Sequence, residues 1–158
     1  VLIRPPATEP EFAAYFRLRW KILREPWNQA PGSEKDVRES EALHLAAWND
    51  SGTLIAVGRL HRVTARCGQI RYMAVDASQR GCGIGTAILH ELENLAVQSG
   101  VEEVILNARE DAVSFYRANG YEVIRPAHCL FGVIPHFEMR KRLRQFSSAR
   151  ETIPDTSG

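Results

Sequence analysis

Three glycines within five residues, in Gln79-Arg80-Gly81-Cys82-Gly83-Ile84-Gly85-Thr86, mark the stretch of this chain best suited to holding a ligand. Glycine lets the backbone turn sharply and come close to a bound group. A loop that opens a helix also aims several N–H groups at one point, with the positive end of the helix dipole behind them. Such a loop is built for phosphate. Its flanks agree: residues 69–75 read as a strand, and over residues 84–99 Ile84, Ile88, Leu92, Leu95 and Ala96 share one helical face, with Glu91, Glu93 and Gln98 away from it. A nucleoside-triphosphatase loop fails, because Gly85 is followed by Thr86-Ala87 and no lysine. A dinucleotide fingerprint needs its third glycine one residue later and an acid at the end of the next strand. Asn107 stands at that end, while Glu102 and Glu103 sit at the strand's beginning. The plainer reading is a tight strand-to-helix turn, but three glycines exceed what a turn needs.

Elements on both sides must hold this loop. Leu2-Ile3-Arg4 before Pro5-Pro6 reads as a short strand. Thr8 and Pro10 open a helix carrying Phe12, Tyr15, Phe16, Leu18, Arg19 and Ile22, which Pro26 ends. Residues 26–40 read as an irregular loop with one helical turn. Two apolar runs, 43–48 and 54–63, joined by Asn49-Asp50-Ser51-Gly52, predict an antiparallel hairpin whose order continues into the strand at 69–75. After the long helix, closed by Gly100, come a strand at 101–106, a short helix at 111–118 capped by Asp111, and Gly120. Strands at 121–124 and 137–143 follow. The fold class is therefore α/β, a mixed and mostly antiparallel central sheet with helices on both faces. Residues 1–144 read as one domain and the polar 145–158 as a flexible tail.

Composition narrows the function classes. At 158 residues and 44% hydrophobic content the chain suits one domain with a real core. Its 20 Lys+Arg against 19 Asp+Glu leave no excess field to recruit nucleic acid or an anionic membrane. Cys67, Cys82 and Cys129 match neither a disulfide framework nor a zinc site, so reduced cytoplasmic thiols and no metal are expected. No stretch approaches the roughly 20 apolar residues of a membrane span. Exposed strand edges allow a homodimer.

What remains for the glycine loop is Arg-Gly-x-Gly-x-Gly, which resembles the pyrophosphate-binding motif of the GNAT superfamily of N-acetyltransferases. Met73-Ala74-Val75 resembles that family's splayed central strand. Leu106-Asn107-Ala108-Arg109, with Phe115-Tyr116 and Gly120-Tyr121 downstream, resembles its second coenzyme segment. Residues 18–24, His44-Leu45 and Ile134-Pro135-His136-Phe137-Glu138-Met139 are similar to pieces of a bacterial subgroup. The resemblance implies acetyl-CoA as co-substrate and an amine as acceptor. It puts the N–H groups of Arg80, Gly81, Cys82, Gly83, Ile84, Gly85 and Thr86 on the pyrophosphate. The backbone of Met73, Ala74 and Val75 would lie along the pantetheine arm, with an N–H near Val75 on the reacting carbonyl. The Asn107 amide could bond the same arm, an end-of-strand turn being an equal reading.

Tyr116 is the candidate acid for the departing thiolate, since a phenol of ordinary pKa about 10 is protonated at neutral pH; packing beside Phe115 is the alternative. The base stays open among His136, Glu110, Glu41, His44 and a water. His136, between Pro135 and Phe137, is placed on the acceptor side, with a structural histidine as the alternative. Arg19 and Arg24 could greet an anionic acceptor, although salt-bridged or solvated arginines are commoner. Cys82, with no histidine nearby in sequence, is a weak nucleophile, so direct transfer is expected. A second class of function also stays open, an acyl-CoA-binding module without catalysis, which thiol release in the presence of amines would tell apart.

Overall fold

Alternating apolar residues put seven strands into one sheet. The computed structural model describes residues 1–144, so the expected tail at 145–158 lies outside the described residues. In chain order the elements are β1 (Leu2–Arg4), α1 (Glu9–Leu23), β2 (Leu43–Trp48), β3 (Leu54–Arg62), β4 (Cys67–Val75), α2 (Ile84–Gln98), β5 (Glu103–Arg109), α3 (Val113–Ala118), β6 (Glu122–Leu130) and β7 (Ile134–Arg142). The spatial order is β1-β2-β3-β4-β5-β7-β6. Neighbours run antiparallel except β4 and β5, which are parallel. This is the mixed, mostly antiparallel sheet expected from the sequence.

Residues along β2 alternate between the two faces of the sheet. Leu45 and Ala47 join a core with Ile88, Leu89, Leu92 and Ala96 of α2, while Ala46 and Trp48 join a second one with Tyr15 of α1. Gly58 of β3 lets α2 lie close, because a Cβ there would fall 2.8 Å from Ile88 and 2.7 Å from the Met73 sulfur. Thr8 caps α1 by accepting from the Glu11 N–H at 3.3 Å, and the Glu11 carboxylate turns back to the Ala7 N–H at 2.8 Å. The pair fixes where the helix begins.

Several expectations are corrected. The helix after β5 is not capped by Asp111; a 3-10 turn at Glu110–Ala112 intervenes and Ala112 occupies the cap without a side-chain bond. Glu93 does not lie away from the packed face. It is buried, accepting from the Tyr121 hydroxyl at 2.7 Å and from Lys141 at 3.0 Å, partners that arrive from distant parts of the chain. Strand β6 runs on to Leu130, past Pro126, because it is an edge strand where a missing N–H breaks no ladder. Strand β7 begins at Ile134, which puts Pro135 and His136 inside the sheet.

Candidate active site

Strands β4 and β5 are paired only at Cys67, Gly68 and Gln69, opposite Glu103, Val104 and Ile105. Beyond that point they part. Strand β5 stays bonded to β7 as far as Arg109, and β4 stays with β3 but carries one extra residue, since Val57 faces Ala74 while Arg59 faces Arg71. The bulge sits at Tyr72, whose φ is +59°, a left-handed conformation that strains a residue with a bulky side chain by roughly 1–3 kcal/mol. A bulge bends its strand, and this one lies where the two parallel strands separate. The edge of β4 that faces β5 is thereby left without a partner strand over its last residues.

A cavity of about 650 Å³ fills the gap. One wall is β4 from Arg71 to Val75, and another is Asn107, Ala108 and Arg109 of β5 with Phe115 and Tyr116 of α3. The glycine loop closes one end through Arg80, Gly81, Gly83, Ile84, Gly85 and Thr86. Gly81 and Gly83 have φ of +81° and +80°, and a Cβ at either would meet nothing within 4 Å, so the loop is open on the side where a ligand would come. Of the residues expected to hold the coenzyme, all but Cys82, whose side chain is exposed, line this cavity, and so do Tyr116 and His136.

Tyr116 and His136 come together here from α3 and β7, each only 8% exposed. The Tyr116 ring packs edge-on against Phe115 and Tyr121, and burial pushes its phenol above the ordinary value. His136 Nδ1 lies 2.9 Å from the Ile134 carbonyl. A carbonyl only accepts, so Nδ1 carries the proton and Nε2 keeps its lone pair. Burial, offset in part by that bond and reinforced by His128, Arg109 and Arg24, holds the imidazole below its usual pKa. His128 stacks on it at 4.5 Å.

The arrangement can hold a long phosphorylated ligand along an unpaired strand edge, with a proton donor and a neutral base at its inner part. Known proteins share the sequence pattern and the fold. The sequence model of the acetyltransferase (GNAT) family matches residues 12–121. This chain belongs to that family. It is 31% identical over 133 residues to the uncharacterized N-acetyltransferase YjcF of Bacillus subtilis, covering 84% of this chain and 94% of that protein. It is 27% identical over 117 residues to glucosamine 6-phosphate N-acetyltransferase 1 of Oryza sativa subsp. japonica, covering 74% of this chain and 66% of that one. Among solved structures, an aminoglycoside 6'-N-acetyltransferase complexed with coenzyme A shares the fold with a TM-score of 0.76 at 16% identity, covering 90% of this chain and 97% of the other.

The remaining base candidates fall outside the acetyltransferase cavity. His44 has both nitrogens engaged, Nε2 at 2.8 Å from the Glu39 carbonyl and Nδ1 at 2.9 Å from the Tyr15 hydroxyl. Glu41 accepts from Arg38 on the surface, and Glu110 does not line the cavity. Arg19 takes the salt-bridged reading: fully buried, it donates to Glu39, the Glu34 carbonyl and Tyr15, and it does not line the cavity. It belongs to a network in which Asp36 and Glu39 accept from Arg19, Arg59 and Arg71, tying the loop after α1 to the sheet. Arg24 does line the cavity. So do Arg71, Tyr72, Arg109 and His128, which carried no role in the sequence reading. Of these, Arg109 alone carries a local signal, since it lies inside the Leu106-Asn107-Ala108-Arg109 segment. Tyr72 needed the bulge, and His128 needed the strand beyond Pro126.

Proposed function

We propose that this acetyltransferase moves the acetyl group of acetyl-CoA directly to the primary amine of a small molecule or peptide. The observation that supports it is the splayed β4–β5 cleft, walled by an open glycine loop at one end and by Tyr116 and His136 deeper in. N–H groups from Arg80 to Thr86 would hold the pyrophosphate, and the unpaired edge at Met73, Ala74 and Val75 would lie along the pantetheine arm with the Asn107 amide beside it. The thioester, when bound, supplies an activated acyl carbon. A main-chain N–H near Val75 stabilises charge on the carbonyl oxygen. His136 Nε2 takes the amine proton, for which a neutral imidazole is the competent form. Tyr116 gives its hydroxyl proton to the departing sulfur, which leaves as the thiol, and the proton that His136 took from the amine returns to the phenolate through solvent, resetting both groups.

One of the similar proteins is named for glucosamine 6-phosphate and another for aminoglycosides, and a small polar primary amine is the acceptor we infer. The free thiols Cys67, Cys82 and Cys129 suit a reducing cytoplasm, and the edge strands β1 and β6 offer a homodimer contact. No helix among the described residues is long and apolar enough to cross a membrane. The test is thiol release from acetyl-CoA across a panel of amines. Release that depends on an amine supports transfer, whereas tight coenzyme binding with no amine-dependent release favours a silent acyl-CoA-binding module.

A further inference from the structure

Four arginines, Arg24, Arg71, Arg80 and Arg109, line the cavity against one acid, Asp111. Two of them are accounted for by their surroundings. Arg71 donates to Asp36 at 2.8 Å, and Arg80 belongs to the glycine loop where the coenzyme phosphates would lie. The other two are not. Arg24 is buried, yet it donates to the Ser33 and Leu23 carbonyls and approaches the Tyr72 ring and hydroxyl, none of them a carboxylate. Arg109 is half-buried, its Nη2 is buried with no hydrogen-bond partner, and its guanidinium lies 6.0 Å from the Trp27 ring centre. Burial holds both guanidiniums below their ordinary pKa; Arg109 feels Asp111, which raises it without forming an ion pair, and Arg80, while Arg24 feels Arg71 and Arg109.

A guanidinium withdrawn from water without an anion is unfavourable, so buried charges in proteins are ordinarily paired. The position of these two says what would pair them. Arg24 ends α1 and lies 5.7 Å from the ring of Phe131, at the β6–β7 turn, while Arg109 is the register partner of His136 across the β5–β7 ladder. Both therefore stand near the base, Arg109 beside it across the ladder and both close enough to act on its charge. We propose that Arg24 and Arg109 form a receptor for an oxyanion carried by the acceptor itself, so that the substrate is an anionic primary amine, a carboxylate or a phosphate ester. The proposal rests on the acetyl-transfer reading and deepens it. Planar guanidinium donors fit either oxyanion, and fixing it would swing the amine toward His136 Nε2. The same charge disfavours polycationic amines.

Matched acceptors test it, glycine against glycinamide for the carboxylate and glucosamine 6-phosphate against glucosamine for the phosphate. The expected result is at least a tenfold preference in kcat/KM for the anionic member of one pair, which also says which oxyanion is read. In Arg24→Gln and in Arg109→Gln, compared at equal folded fraction by thermal melt, that ratio should collapse to within about twofold. A wild-type ratio near one, or a preference that survives in both variants, overturns the oxyanion site and leaves acetyl transfer standing. Should no amine be turned over, calorimetry on the CoA-loaded protein with inorganic phosphate and with acetate decides instead. Binding that both substitutions abolish supports the site, and no binding, or binding that survives them, overturns it. Failure of acetyl-CoA itself to bind would overturn the parent reading as well.

Discussion

The phenol of Tyr116 sits between the rings of Phe115 and Tyr121, with centroids 5.0 and 5.8 Å away, and lines the cavity. Burial raises its pKa, so the hydroxyl keeps its proton at neutral pH and is present in the donating form when the thiolate develops. Removing only that hydroxyl, in Tyr116→Phe, keeps the ring contacts. Turnover should fall about a hundredfold, the lower end of general-acid contributions, with acetyl-CoA affinity and melting temperature nearly unchanged. Single-turnover kinetics with calorimetry would show it, and a variant within twofold of wild type would make Tyr116 a packed aromatic. His136 responds in the opposite sense, because burial and the nearby His128, Arg109 and Arg24 all favour the neutral ring. Its rate-limiting protonation should lie below the usual 6.5, so kcat holds through neutrality and drops only under acid conditions. In His136→Gln that acid limb should disappear together with most of the rate, while coenzyme affinity persists. A kcat–pH profile at saturating acceptor distinguishes this from a structural histidine.

At the scale of elements, the loop-to-helix junction carries the coenzyme argument. Gly83 is the N-cap of α2 at φ +80°, with no side-chain cap and open space where a Cβ would be. Gly83→Val therefore acts through the backbone: a β-branched residue resists that φ, and the N–H groups of the loop turn away from their common focus. Acetyl-CoA affinity should weaken at least tenfold and the melting temperature should fall by a few degrees, about 2–4 °C per kcal/mol of strain, while the fold stays intact, and Gly83→Asn, which tolerates the left-handed region, should recover part of both. Isothermal titration of both variants checks the order. This loop was legible because glycine spacing and helical periodicity are local signals. The β4 bulge was not, since Arg71-Tyr72-Met73 looks like an ordinary strand and only the pairing with β3 reveals the extra residue. Strand β6 was cut short for a related reason: Pro126 argues against a strand unless the edge position is known. Glu93 reads as a surface acid until Tyr121 and Lys141 are folded over it. Each miss turns on a contact between residues far apart in sequence.

The whole molecule distributes its titratable groups in two tiers, and stability should follow them. His44, His61 and His136 all have pKa values depressed below 6.5, foremost by burial. His61 Nδ1 accepts from Arg59 at 3.1 Å and cannot do so once protonated, while His44 Nδ1 holds the Tyr15 hydroxyl. Below pH 6.5 the unfolded chain takes up protons that the folded chain refuses, so unfolding becomes easier as pH falls, and the full contribution is present only above that value. The carboxylates form the second tier. Glu11, bonded to Arg4 and to the Ala7 N–H, is held down to about 2, and Asp36 is held low foremost by Arg59. Their contribution is complete above the ordinary carboxylate range and is lost as pH drops beneath it. Melting temperature at constant ionic strength should therefore be level from pH 8 to 7, decline between pH 6.5 and 5 with the histidines, and decline again below pH 4, where the unfolded chain takes up protons that the folded chain denies to Glu11 and Asp36. Replacing His61 with Gln should make the first decline shallower, since His44 and His136 remain, and leave the second in place. A melting temperature unchanged from pH 7 to 5 would mean that the buried imidazoles accept protons without penalty, which their surroundings of arginine do not allow.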